Sequence, residues 1–338
     1  MGARRRKAAA QGGAIPSLLR VSREPCRYFT ESTVHGLLTR SPAGYCEFVR
    51  DAALAIASGR AQLTLPPKQV FTDRETGGDF RVMPCEVRYG ARTTKTVKLI
   101  GTNTVQRAVP DQVTVGKLLV LDPAENFVSD VLEACLLSSA RTGACAALAL
   151  GALAPARERL VVVGSGRVGY YAALYAVAAA GVRAVTFCDR LPGRADEAAR
   201  TLAGVSPGVH CEARPAAEVA SADAVVLATT SSVPVASPPC WGARLVVSLG
   251  ADTDTQSELD PAWADQAEIY CDTLDSLRFG DLRAWVAAGR VQPAAARELL
   301  DVLRAPPPAS PRPRVFISTG SALFDNLTAR YLLEQADR

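Results

Sequence analysis

The stretch Arg159-Leu160-Val161-Val162-Val163-Gly164-Ser165-Gly166-Arg167-Val168-Gly169 decides the fold. A short, unbroken apolar run followed at once by glycine reads as a strand buried on both faces, as in a parallel sheet. The glycines fall in a G-x-G-x-x-G spacing, and an alanine-rich run to Val182 predicts a buried helix behind them. Strand, glycine turn and helix in that order are the context this spacing needs to bind a dinucleotide. Gly164 permits the tight turn, Gly166 lets the backbone approach a pyrophosphate, and Gly169 lets the helix pack on the strand. Ser165, Arg167 and Val168 complete the loop, and the helix N-terminus offers free N–H groups to the phosphates. Asp189 closes the next apolar strand, Ala184-Val185-Thr186-Phe187-Cys188, 20 residues after Gly169. A carboxylate there accepts the ribose hydroxyls and repels a 2′-phosphate, so the expected cofactor is NAD rather than NADP. Arg190 beside it softens that preference.

Outward from this motif the pattern repeats. A helix at Ala195–Leu202 and further strands at Ala224–Ala228 and Arg244–Ser248 continue the alternation. Alternating strands and helices predict a Rossmann-type doubly wound parallel sheet, placed at 141–305. On the N-terminal side, Ser139–Leu153 reads as a long alanine-rich helix, and the texture before it is different. Residues 28–57 suit two short amphipathic helices, and Pro66-Pro67 ends them. Strands follow at Arg81–Pro84, Thr96–Ile100, Leu118–Leu121 and Phe127–Leu132, with a turn at Asp122–Asn126. This predicts an α+β domain with a mostly antiparallel sheet. Pro306, Pro307, Pro308, Pro311 and Pro313 mark a stiff linker over 306–313. The strand Val315–Ser318 and the helix Asp325–Gln335 are expected to return to the first domain. The domain reading is therefore a disordered tail at 1–20, a first domain of 21–140 with 314–338, and the dinucleotide domain between.

Composition limits the partners. The chain has 338 residues, 48% hydrophobic and 21% charged, enough for two packed domains. The formal charge of +4 equals the run Arg4, Arg5, Arg6 and Lys7, so the remainder is near neutral and nucleic acid is not an expected partner. No apolar h-region follows those arginines, and no apolar run reaches the ~18 residues of a membrane span. Nine scattered cysteines without a CxxC pair read as reduced thiols of a cytoplasmic protein. With only His35 and His210 present, and no clustered ligands, neither a metal site nor a Ser–His–Asp triad is expected.

The segment Leu136-Leu137-Ser138-Ser139-Ala140-Arg141-Thr142-Gly143-Ala144 resembles the T-A-x-R-T-A-A signature of the ornithine cyclodeaminase/mu-crystallin family. Val97-Lys98-Leu99-Ile100 is similar to its lysine strand. Gly250-Ala251-Asp252 through Glu258-Leu259-Asp260 is similar to its post-strand loop, and Ser318-Thr319-Gly320 through Asp325 to its C-terminal element. The resemblance runs in order from Tyr28 to Leu333. It implies a first domain carrying substrate and dimer contacts, hence a homodimer. It implies that Lys98 and Arg141 hold the α-carboxylate of an amino or imino acid, a charge-assisted clamp that would aim Cα at the nicotinamide. Thr142, taken as lying at a helix start, is similar to a residue touching the cofactor phosphates. Asp252 matches an acid near the imine carbon that positions an attacking amine or water or acts as a base.

Two departures bear on substrate. Ornithine and lysine cyclodeaminases usually carry glutamate where Arg81 stands before Val82-Met83-Pro84, and many relatives carry arginine where Lys68 stands. A cation at 81 repels a diamino acid and favours an acidic one. Both features resemble the branch that oxidises N-(2-amino-2-carboxyethyl)-glutamate. The expected activity is an NAD-dependent dehydrogenase or imine reductase of a carboxylate-rich or N-substituted amino acid. The alternatives are a cyclodeaminase with transient NAD reduction, or a non-catalytic small-ligand carrier.

Overall fold

The structure, a computed structural model, describes residues 15–73, 75–253 and 255–338. Most of the expected tail, including Arg4 to Lys7, lies outside them; Ser17–Leu19 forms one exposed 3-10 turn.

The first layer is a seven-stranded sheet in the order β1-β7-β6-β5-β4-β2, with β3 also on β4. Its strands are β1 (Arg27–Phe29), β2 (Ala61–Thr64), β3 (Gln69–Thr72), β4 (Asp79–Tyr89), β5 (Arg92–Thr102), β6 (Thr114–Leu121) and β7 (Val128–Glu133). All pairs are antiparallel except β1 on β7. Residues 28 and 29, expected as helix, thus belong to a strand along the edge of β7. Helices α1 (Glu31–Arg40) and α2 (Pro42–Ala57) follow, the first capped by Thr30 accepting from Thr33 N–H.

The helix α3 (Ala134–Leu153) joins the layers. It starts five residues earlier than expected because Glu133 caps it, accepting from Cys135 N–H. Against the expectation that no apolar run is long enough, α3 could cross a membrane by length and composition; it is instead packed almost wholly inside the protein.

The second sheet holds β8 (Arg159–Val163), β9 (Ala184–Cys188), β10 (His210–Ala213), β11 (Ala224–Leu227), β12 (Leu245–Ser248), β13 (Glu268–Cys271), β14 (Arg297–Glu298) and β15 (Arg314–Ile317). All pairs are parallel, in the order β10-β9-β8-β11-β12-β15-β13-β14. Helices α4 (Arg167–Ala179), α5 (Arg194–Val205), α6 (Ala262–Gln266), α7 (Gly280–Ala287) and α8 (Leu299–Arg304) accompany it, and α9 (Ala322–Ala336) closes the chain. One expectation is corrected here. The strand after the prolines does not return to the first domain: β15 inserts between β12 and β13. Its four residues are all buried, as a strand covered on both faces must be. Only α9 reaches back. The Asn326 side chain there donates to Cys85 O, Thr94 O and Thr96 Oγ1, pinning α9 to the β4–β5 hairpin.

Candidate active site

The glycine loop leaves β8 at Val163. Gly164 has φ +93°, and a Cβ there would lie 2.4 Å from Ala228 O; a Cβ on Gly169 would lie 2.0 Å from Gly164 O. Around Gly166 nothing lies within 4 Å of an added Cβ, so the loop is open on the side a pyrophosphate would take. Asp189, at the tip of β9, is tied to the loop: its Oδ2 accepts from Ser165 N–H at 2.8 Å and its Oδ1 from Leu191 N–H at 2.9 Å. Each oxygen keeps a lone pair for a hydroxyl. Arg167, Val168, Arg190 and Thr142 line the same cavity. Thr142 is in the third turn of α3, not at a helix start, and donates to Ser138 O.

The cavity has a volume of about 1490 Å³ and runs from this loop to the inner face of the first sheet. That exceeds the ~300–1,000 Å³ of a usual single-ligand pocket, as room for a cofactor and a second ligand requires. Strand periodicity sets its far wall. Arg81 and Met83 on β4 face the same side as Lys98 and Ile100 on β5, in the registers Arg81↔Ile100 and Met83↔Lys98.

Lys98, 1% exposed, is held by Asp325 of α9 (Nζ to Oδ2, 2.7 Å) and Ser138 (3.1 Å). Arg141 on α3 gives its Nε to Asp325 Oδ1 at 2.8 Å. No described residue accepts from its terminal nitrogens, which face the backbone of Gly320. One buried carboxylate thus anchors two cations by their near sides. Burial pulls the Lys98 pKa down to about 7, Arg141 adding to the fall and Asp325 opposing it. Burial also raises the Asp325 carboxyl, but Lys98 and Arg141 outweigh it and hold the group below its ordinary range.

Asp252 approaches from the loop after β12. Its carboxylate meets Arg81 Nη1 at 2.6 Å, while Asp79 takes Nε and Nη2 of the same guanidinium, each at 3.0 Å. Burial raises the Asp252 carboxyl, and Arg81 with Lys68 more than offsets this, leaving it lowered. Arg81 therefore faces into the site, yet its fork is divided between two carboxylates and is not a free cation awaiting an acidic substrate, as the sequence had suggested.

Lys68 is buried but outside the cavity wall. It donates to Thr319 O at 2.7 Å and Thr319 Oγ1 at 3.2 Å, and its ammonium lies 3.7 Å from the centre of the Phe279 ring.

The sequence motifs contain Asp325 and Glu258 without assigning either a role. Glu258, wholly buried, accepts from Thr229 N–H and Oγ1, Ser248 Oγ, Leu249 N–H and Gly250 N–H, knitting together the loops that follow β11 and β12. The available signal was an acid inside an apolar helical run, Ala322-Leu323-Phe324-Asp325, which calls for a buried cation.

A parallel sheet with this glycine loop, facing a charged sheet wall across one cleft, defines a two-domain dinucleotide-binding protein. The chain belongs to the ornithine cyclodeaminase/mu-crystallin family, whose profile matches residues 37–338. Among its relatives are an L-lysine cyclodeaminase of Streptomyces rapamycinicus, 31% identical over 82% of both chains, and an iminosuccinate reductase of Paracoccus denitrificans, 29% identical over 65% of this chain and 70% of the other. The fold is shared with the Δ1-pyrroline-2-carboxylate reductase of Thermococcus litoralis, solved with NADH and L-proline. There the TM-score is 0.82 at 19% identity, over 93% of this chain and 97% of that one.

Proposed function

We propose that this protein is an NAD-dependent oxidoreductase moving a hydride between the nicotinamide and the Cα of an α-amino or imino acid. The observation that carries the reading is the Lys98–Asp325–Arg141 cluster in the wall of the cavity that also holds the glycine loop. Asp325 pre-orients both cations, so a carboxylate can bind Arg141 in bidentate fashion and Lys98 beside it without reorganisation. When bound, NAD accepts or supplies the hydride. Lys98 and Arg141 fix the carboxylate, and Asp252, ionised and facing the same space, orients water or the substrate nitrogen. Asp189 supports NAD over NADP, since it lines the cavity beside the glycine loop and each of its oxygens keeps a lone pair for a ribose hydroxyl.

The finer reading is a dehydrogenase or imine reductase of an N-substituted or carboxylate-rich amino acid. Room beyond the clamp supports it: the cavity continues past Met83 and Ile100 to Thr102, Gln106 and Thr114. A second reading, cyclodeaminase, is favoured by the 31% identity to a lysine cyclodeaminase. A panel of amino acids and imines with NADH absorbance and ammonia both recorded separates them. The first reading expects net change in NADH; ammonia and a cyclic imino acid without net NADH would favour the second; neither signal would overturn both.

We also propose a homodimer. Phe71 and Phe80, stacked at 4.7 Å, and Leu99 are exposed on the outer face of the first sheet, a patch suited to a second copy. An archaeal alanine dehydrogenase of this fold is described as a dimer. A monomeric mass in sedimentation equilibrium would refute this.

A further inference from the structure

The ion pair between Arg81 and Asp252 joins a strand of the first sheet to a loop of the second across the cleft, beside the carboxylate clamp. Arg81 is fully engaged, and Asp252, its side chain 35% exposed to the cleft, is paired through Oδ2. Arg81 is 8% exposed; Asp79 takes its Nε and one terminal nitrogen, and Asp252 takes the other at 2.6 Å. Asp79 is itself held by Thr102 Oγ1 at 3.2 Å. The remaining carboxylates of the described cavity wall stand elsewhere. Asp189 follows β9, Glu197 lies on α5, and Asp111 is exposed on the loop between β5 and β6. No carboxylate beside the clamp is left unpaired among the described residues.

We propose that Arg81 is a positioning and specificity residue: by clasping Asp252 it withholds that carboxylate from a second amine of the substrate, so the site takes α-amino acids with neutral or acidic chains and excludes diamino acids. This rests on the amino-acid reading above and selects within it. Oxidation removes a hydride from Cα to NAD and a proton from nitrogen, leaving C=N. Two fates are then open. Water can bond to Cα through its oxygen, with both protons passing to nitrogen as the C–N bond breaks and C=O forms. Alternatively, a second amine of the same molecule can bond to Cα and expel ammonia. The second fate brings an ammonium or amine to the side of Cα that Asp252 faces. There it meets an acid already paired with Arg81 and facing the charge of Lys68 as well, and a cation gains no unpaired partner.

Norvaline and ornithine share one carbon chain and differ in the distal ammonium, so their binding to the NADH-loaded protein, which cannot oxidise them, isolates the effect. The wild type is expected to bind norvaline tighter than ornithine by on the order of tenfold or more, because the distal ammonium gives up water without gaining a free carboxylate. Arg81→Gln should bring the ratio to about one or invert it, Arg81→Lys should retain most of it, and Asp252→Asn should widen it. NADH affinity reports that each variant is folded. Equal binding of the two ligands by the wild type, or a ratio that Arg81→Gln leaves unchanged, overturns the inference alone. If the protein binds NADH but neither ligand, the amino-acid reading falls and the inference with it.

Discussion

Lys98 and Arg141 are buried cations whose desolvation is offset by a single shared anion, Asp325. Removing either cation should leave NAD affinity largely intact and lower kcat/KM by roughly 30-fold or more, since losing one partner of a desolvated charge pair costs about 2–5 kcal/mol. Normal rates in Lys98→Ala or Arg141→Ala would remove the clamp assignment. Because burial brings the Lys98 pKa to about 7, its charge is present below neutrality and lost as pH rises through that value. Affinity of the NAD-loaded protein for a 2-oxo acid should therefore weaken on the alkaline side. Lys98→Arg, charged throughout, should flatten the curve, and a parallel fall in Lys98→Arg would assign the pH effect to another group. At the other end of the cavity, Asp189→Ser should weaken NAD and improve NADP. A wild type that already prefers NADP by about tenfold would contradict the ribose assignment.

The element scale shows what the sequence revealed and what it hid. The strand–glycine–helix unit of β8 and α4 was legible because its signals are local: a continuous apolar run, three spaced glycines, an acid at the next strand's tip. Lys98 and Arg141 were legible through the motifs around them. The place of β15 was not, although Val315-Phe316-Ile317 has the same unbroken apolar character as Val161–Val163; sequence order suggested a return to the first domain and outweighed it. The partners of Arg81 were hidden too, since Asp252 is 171 residues away and meets it only through the packing of one sheet against the other. Arg314 fixes the inserted strand. Nearly buried, it donates to Leu153 O at the end of α3 and to Pro308 O in the proline segment, and pairs with Glu268 on β13. Arg314→Ala should lower unfolding stability by about 2–3 kcal/mol, because those carbonyls lose their donor in the interior. Its urea midpoint should fall while cofactor preference stays the same; an unchanged midpoint would show the strand to be held by its apolar faces alone.

For the whole molecule, the two sheets meet over one cavity, with α3 crossing between them and α9 returning from the second to the first. The glycine loop and Asp189 stand at one end, the Lys98–Asp325–Arg141 cluster and the Arg81–Asp252 pair at the other. The central claim is that this geometry brings Cα of a clamped amino acid to the nicotinamide, whichever way the imine then goes. Isotope transfer tests it most directly. NADH carrying deuterium on one face of C4, and separately on the other, is mixed with the protein and an imine formed from a 2-oxo acid and an amine, and the amino acid produced is examined by mass and by NMR. The account predicts deuterium at Cα from one face of the nicotinamide only. Product that carries no label from either face, although NADH is consumed, would contradict it.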